Sequence, residues 1–472
     1  MSVQTIDPAT GQPLATYDET SPDEVDMLLA RAREAAAAWR LTPPTERADS
    51  VRRLADSLRG RREELALMAT REMGKPLVDS RAEVDKCAWA CEWFADHGPK
   101  MLEPEAIETE AVRTNVVYVP LGVLFAIMPW NFPYWQVVRA LAPALTAGNV
   151  VVLKHAPSTT GCGLLLADVA ADAGLAPGVF SVLVSGFERT PELSERVITD
   201  GRVAAVTITG STGAGRAVAS IAGRALKKTV LELGGSDPFI VLADADLDAA
   251  AGWAARSRFQ NAGQSCIAAK RIIVEDQVAE EFTERLLEHV AQLRIGDPTE
   301  EGVTVGPLAR ADLRDALARQ VRESVEQGAR VLAGGRAPDR PGFYYEPTVL
   351  DQVSATMPVL SEEVFGPAVP LIRAADADDA VRLANDTRFG LGSNVWTSDL
   401  ARGEEIAVRL DAGHTAVNGM TASDPRLPFG GVKDSGYGRE LSSPGIHEFV
   451  NVHTVVVDGP AGPSGDRQTT IE

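Results

Sequence analysis

Four short segments of this chain hold side chains suited to covalent or acid–base chemistry. In Phe259-Gln260-Asn261-Ala262-Gly263-Gln264-Ser265-Cys266, a cysteine falls between a helical stretch and the strand Arg271–Glu275, which places Cys266 on a turn. A thiol is a good nucleophile only as thiolate, so this residue needs a base or an electropositive setting. An isolated cysteine also reads as an inert buried residue, and both readings stay open here. Leu231-Glu232-Leu233-Gly234-Gly235 sets a carboxylate among leucines at the end of an apolar strand. Burial raises the pKa of such a group, which suits a general base for water; pairing with Lys227 or Lys228 is the alternative. In Pro129-Trp130-Asn131-Phe132-Pro133, two prolines make a rigid turn. The Asn131 amide can steady a developing oxyanion, worth about 3–4 kcal/mol, or cap the helix expected over Trp135–Leu145. Finally, Thr209-Gly210-Ser211-Thr212-Gly213-Ala214-Gly215 opens a helix directly after a strand, where backbone donors suit a pyrophosphate. Its spacing departs from GxGxxG, with Thr212 at the second glycine position. Lys154 closes the strand Val150–Leu153 on the edge where ligands of parallel sheets bind, unless it is simply solvated there.

These residues need a scaffold, and the surrounding pattern supplies one. Ser21-Pro22-Asp23-Glu24 is a capping signal for a helix over Val25–Trp39, and a second helical pattern runs from about Thr45 to Met73, ending at Gly74-Lys75-Pro76. The N-terminal third therefore reads as helix. From Asn115 the texture becomes short β-branched runs alternating with Ala-rich helices: Val150–Leu153, Phe180–Val184, Val203–Thr209 and Thr229–Leu233. This alternation predicts an α/β fold with a parallel, doubly wound sheet; an α+β domain with buried helices is the alternative. Past Asp246 the strands Ile272–Glu275, Arg330–Leu332, Ala368–Ile372 and Thr415–Asn418 point to a second α/β domain.

Composition narrows the field. The 472 residues carry a formal charge of −20, which repels phosphate backbones and argues against nucleic acid. The four cysteines, Cys87, Cys91, Cys162 and Cys266, make no disulfide framework and no metal-ligand pair with histidine. No secretory signal opens the sequence, and the apolar run Val116–Trp130 is too short and too broken by Pro120, Gly122 and Pro129 to span a bilayer. A cytoplasmic protein without membrane or metal is expected.

Taken in order, these segments resemble the aldehyde dehydrogenase superfamily over nearly the whole chain. The landmarks are PWNFP at 129–133, Lys154, GST-x-x-G at 210–215, LELGG at 231–235 and GQSC at 263–266, then EVFGP at 363–367 and PFGGVK at 428–433. The resemblance implies a Rossmann-type NAD(P)-binding domain (residues 1–101 and 121–233), an α/β catalytic domain (234–445) and a small β oligomerisation arm (102–120 and 446–460). Residues 461–472 would be a flexible tail, and the arm would make a homodimer or homotetramer. It implies that Cys266 forms a thiohemiacetal, that Asn131 and the Cys266 N–H hold its oxyanion, and that Glu232 activates the water that hydrolyses the thioester. Lys154 and Glu363 would hold the cofactor riboses and Gly210, Ser211 and Gly215 the pyrophosphate region. Trp130, Leu233 and Phe365 would complete the cofactor contacts, and Phe429 would line the substrate side.

Within the family, Glu232 favours release of a free acid over acyl transfer to a thiol, and the intact Cys266, Glu232 and Asn131 argue against a non-catalytic binding relative. Pro157 stands where many NAD-preferring members carry a glutamate, so both NAD and NADP are admissible. KHAP, MPWNFPYWQVVR and FGGVKDSGYGREL are similar to bacterial succinate-semialdehyde dehydrogenases. That likeness implies Arg139 as a fork for a substrate carboxylate, with Ser423 adding a hydroxyl. A second arginine of some members is Gln260 here, so glutarate semialdehyde and broader aliphatic aldehydes remain alternatives.

Overall fold

The computed structural model describes residues 1–459, so the tail expected at 461–472 lies outside the described residues. The capping signal at Ser21 is realised: its side chain accepts from Glu24 N–H, Glu24 returns a bond to the Ser21 N–H, and the helix runs Pro22–Trp39. The second helical pattern divides. Helices Pro44–Gly60 and Arg62–Met73 are separated at Arg61, whose φ of −107° and ψ of 19° leave the helical region just after a glycine. Gly74, at φ 82°, ends the second of them. A fourth helix, Leu77–Met101, packs its Cys87, Cys91 and Phe94 face inward. The expectation of an all-helical N-terminal third needs one correction. Residues Ser2–Asp7 and Gln12–Asp18 form an antiparallel hairpin, because Gly11 at φ 74° turns a chain that alternates buried Val3 and Thr5 with exposed neighbours.

Two sheets carry the rest. A six-stranded sheet is ordered Gly436–Tyr437, Lys228–Glu232, Val203–Thr209, Val123–Ile127, Val150–Lys154, Phe180–Leu183, parallel except for the two-residue edge strand. Helices cover both its faces, which is why strands such as Val150–Lys154 are buried at every position. A seven-stranded sheet is ordered Arg330–Ala333, Thr348–Asp351, Ala368–Ala374, Ala269–Glu275, Asp237–Val241, Gly392–Trp396, His414–Val417, again with one antiparallel edge pair. Separate apolar clusters fill its two faces. Leu391 and Phe429, from the second half of the chain, join the core of the first half, so the two sheets meet across a packed seam.

The segments before Pro120 and around Asn451–Val457 pair in a third, three-stranded antiparallel sheet: Glu105–Ile107, Arg113–Pro120 and Val450–Val457. It leaves Ile107, Val112, Val452, Val455 and Val456 exposed. Among the described residues, no helix is long and apolar enough to cross a membrane.

Candidate functional site

Cys266 follows a constrained turn. Helix Leu247–Phe259 ends, and the chain passes through Asn261 (φ 53°), Ala262 (φ 52°) and Gly263 (φ 72°) before strand Ala269–Glu275. Left-handed conformations at two non-glycine residues cost about 1 kcal/mol or more each, and a hydrogen-bond web offsets this. Asn261 Nδ2 donates to the Asn131 carbonyl at 2.8 Å, Gln264 Nε2 to the Asn261 carbonyl at 3.1 Å, and the Ala309 N–H to Gln264 Oε1 at 2.9 Å. A Cβ on Gly263 would stand 2.4 Å from the Gly366 carbonyl oxygen, so position 263 requires glycine for space as well as φ. Cys87, Cys91 and Cys162 are fully buried, as their structural reading requires, whereas Cys266 is partly accessible. Burial pushes the Cys266 thiol up to about 11, with Arg139 and Lys270 pulling it back. The resting thiol is therefore protonated near neutral pH and needs a proton acceptor when it attacks.

Cys266 opens onto two cavities. The first, about 390 Å³, is lined by Trp130, Asn131, Gly210, Ser211, Leu233, Glu363 and Phe365, with Pro129 and Arg310 at its walls. Trp130 and Phe365 meet edge to face with centroids 5.7 Å apart. Ser211 caps the helix Thr212–Arg224, its hydroxyl accepting from Ala214 N–H at 3.2 Å. Glu363 is held by the Lys270 ammonium at 2.5 Å and the Gly235 N–H at 3.1 Å. Lys154 and Gly215 do not line this cavity. Gly215 lies under Leu233, where a Cβ would approach a methyl to 2.4 Å. Lys154 is buried at its strand end with no ion-pair partner among the described residues, and burial pulls its ammonium down to about 8. A glycine-lined helix start, an aromatic pair and a positioned carboxylate fit a dinucleotide.

The second cavity, about 210 Å³, is lined by Lys86, Phe132, Trp135, Arg139, Gln260, Cys266, Ser423 and Phe429 among others. Arg139, Ser423 and Phe429 are thus brought beside the nucleophile. Arg139 is not a free fork, however. It is buried, its Nε pairs with Glu440, Nη2 reaches Thr209 Oγ1 at 3.3 Å, and its guanidinium lies 4.6 Å over the Phe429 ring.

Glu232 closes its strand behind these cavities and lines neither. The lysine pairing fails: Lys227 donates to the Asp200 carbonyl, and Lys228 pairs with Glu448 at 3.0 Å. Both Glu232 carboxylate oxygens are without a hydrogen-bond partner among the described residues. Burial, then the neighbouring Glu440, hold its carboxyl well above the usual range, against the pull of Arg139 and Arg439. Asn131 donates one amide N–H to the Gln264 carbonyl at 3.1 Å and keeps a second N–H. It does not act as a helix cap; the helix Trp135–Ala147 is instead met by Glu83, whose Oε1 accepts the Tyr134 and Trp135 N–H groups at 2.9 Å each.

Four residues escaped the sequence reading: Lys86, Glu83, Lys270 and Glu440. The signal for Lys86 was faint, a cation one turn after Glu83 in an Ala/Trp-rich helix, off the buried Cys87–Cys91 face. Glu440 and Lys270 carried none, since each acts through a partner far away in the chain.

The aldehyde dehydrogenase family model matches residues 1–455. Succinate semialdehyde dehydrogenase [NAD(P)+] Sad of Escherichia coli (strain K12) is 48% identical over 96% of this chain and 97% of its own. Succinate-semialdehyde dehydrogenase [NADP(+)] 1 of Mycobacterium bovis is 47% identical over 96% of this chain and 99% of its own. Among solved structures, the succinic semialdehyde dehydrogenase of Streptococcus pyogenes with NADP+ as the cofactor superposes with a TM-score of 0.93 at 34% identity, covering 97% of this chain and 100% of that one. The nucleophile turn, the two cavities and these matches together establish that the chain belongs to the aldehyde dehydrogenase family.

Proposed function

We propose that this protein oxidises succinate semialdehyde to succinate with NAD or NADP. The observation that carries the reading is that Cys266 is shared by a glycine- and aromatic-lined cavity and a second cavity bearing cations. The names of the relatives described above support the substrate, and both cofactors appear in those names.

In this reading Cys266 first loses its proton to solvent, and the thiolate Sγ then attacks the aldehyde carbon. The oxyanion of the thiohemiacetal is received by the second Asn131 N–H and the Cys266 backbone N–H. NAD or NADP, when bound, takes up the two electrons and the hydrogen of the aldehyde carbon. Glu232, whose carboxyl is held above the usual range by burial and by Glu440, then accepts a proton from the water that attacks the thioester, after its side chain swings toward Cys266. Residues 1–101 and 121–233 form the cofactor domain, and residues 234–445 the catalytic domain. Lys154 and Glu363 hold the riboses, Gly210, Ser211 and Gly215 frame the pyrophosphate, and Trp130, Leu233 and Phe365 flank the nicotinamide. Arg139, Ser423 and Phe429 form the substrate side, where Arg139 acts through its field while its Nε is engaged by Glu440. Pro157 presents no carboxylate to a 2′-phosphate beside Lys154, so NADP is accepted. The arm strands, with their exposed valines, pair subunits into a dimer or tetramer. The four free cysteines fit a reducing cytoplasm.

Initial rates of NAD(P)H formation with succinate semialdehyde and with butanal, each with NAD and NADP, test this. A large kcat/KM advantage for the semialdehyde is expected; equal rates would remove the substrate assignment, and no reduction with any pair would remove the activity.

A further inference from the structure

The second cavity holds a cation that the reaction scheme above does not use. Lys86 projects from helix Leu77–Met101 into the cavity that contains Cys266. Its Nζ donates to Ser423 Oγ at 2.9 Å and stands 4.2 Å from the centroid of the Trp135 ring. Trp135 Nε1 also donates to Ser423 Oγ, at 2.9 Å. A serine hydroxyl has two acceptor sites and one donor. Both acceptor sites are therefore filled, and the single O–H is left to point away from Lys86 and Trp135. Lys86 likewise spends one N–H on Ser423 and keeps two.

No carboxylate among the described residues forms an ion pair with Lys86. The acids nearest in electrostatic effect are committed elsewhere: Glu83 to Lys75 and to the Tyr134 and Trp135 N–H groups, Asp424 to Arg426 at 2.7 Å. Arg139 adds like charge from the other side. Asp79 also lines the cavity but makes no ion pair with Lys86. An ammonium held against an indole in a narrow cavity, with donors to spare and no ion pair, is costly until an anion arrives. Arg139, by contrast, already has a carboxyl partner in Glu440 and is stacked on Phe429.

We infer that Lys86, together with the Ser423 hydroxyl, makes a direct contact to the carboxylate at the far end of the aldehyde substrate. The inference rests on the semialdehyde reading and sharpens it into a specificity residue. The carboxylate would accept two N–H bonds from Lys86 and the O–H of Ser423, with the Trp135 face closing one side.

Lys86→Met and Lys86→Arg are compared with the native enzyme on succinate semialdehyde and on butanal at saturating cofactor. Lys86→Met is expected to lower kcat/KM for the semialdehyde at least 50-fold (on the order of the loss of one charged hydrogen-bonding partner), almost wholly through KM, and to change butanal by less than about threefold. Lys86→Arg should recover part of the semialdehyde selectivity. Equal losses on both substrates, or an unchanged semialdehyde KM, would overturn the inference while leaving the native preference, and so the substrate reading, intact. If the native enzyme shows no preference for the semialdehyde, the substrate reading falls first. The inference then stands only if succinate or glutarate inhibits butanal oxidation by the native enzyme and not by Lys86→Met, and it falls if neither inhibits.

Discussion

The two cavities on either side of Cys266 are built by different means. On the cofactor side the walls are backbone, glycine and aromatic faces drawn from short contiguous segments, and the one carboxylate, Glu363, is already held by Lys270. On the substrate side the walls are long side chains from a helix near residue 86, a helix near residue 139, and loops near residues 260 and 423, with charge left uncompensated at Lys86. The backbone-lined side leaves no room at Gly234, where an added Cβ would run into the Glu363 carboxylate. A side-chain-lined site tolerates changes of shape but not of charge. The first arrangement suits an invariant ligand, and the second suits a family that changes its substrate while keeping its chemistry.

That contrast can be broken or sharpened experimentally. The largest effect is expected at the residue common to both cavities: Cys266→Ala should reduce aldehyde oxidation by about four orders of magnitude while leaving cofactor binding, read by fluorescence quenching, intact. Retained turnover would remove the covalent mechanism. Next, because the Cys266 thiol is raised to about 11, the reactive thiolate is scarce at pH 7. Alkylation of the free enzyme by iodoacetamide should accelerate about tenfold per pH unit from 7 to 10, and a plateau already at pH 7–8 would show an activated thiolate instead. Glu232→Gln should give a burst of NAD(P)H followed by turnover slowed by about two orders of magnitude; a normal steady-state rate would exclude Glu232 as the deacylation base.

Smaller effects separate the two sides. Burial pulls Lys86 down to about 8, with Arg139, Cys87, Asp424 and Glu83 acting on it and Asp79 and Arg256 also lining its cavity. Its positive charge is present below that pH and lost above it. The ratio of kcat/KM for succinate semialdehyde over butanal should therefore fall about tenfold from pH 7 to 9, titrations shared by both substrates cancelling. A flat ratio would count against a titrating lysine at the carboxylate. Gly215→Ala should raise the cofactor KM by about fivefold, because its Cβ must displace Leu233, without changing the aldehyde selectivity. A change in that selectivity would show that the two cavities are mechanically coupled.

The local geometry of the first cavity and of the Cys266 turn was legible because each motif carries its own local reason. Ser211 caps the helix that follows it, Gly263 meets its own positive φ, and Trp130 sits between two prolines. The hairpin at Ser2–Asp18 was lost because its strands are short and only partly buried, and the break at Arg61 because Gly60 is a weak signal inside a strong helical period. Arg139 shows the other failure. Its position in the chain was read as a carboxylate fork, yet Glu440, 301 residues away by number, takes its Nε in the folded protein.

The order and spacing of motifs along the chain thus determined the family and the parallel α/β design and singled out Cys266 and Glu232 as the residues to test, since these depend on contacts within a few residues and on strand-by-strand burial. Which cations are paired and which are left without an ion pair was decided only in three dimensions. The state of a buried charge is a property of its neighbours, and the neighbours of Lys86, Arg139 and Glu232 come from segments that the linear sequence keeps far apart.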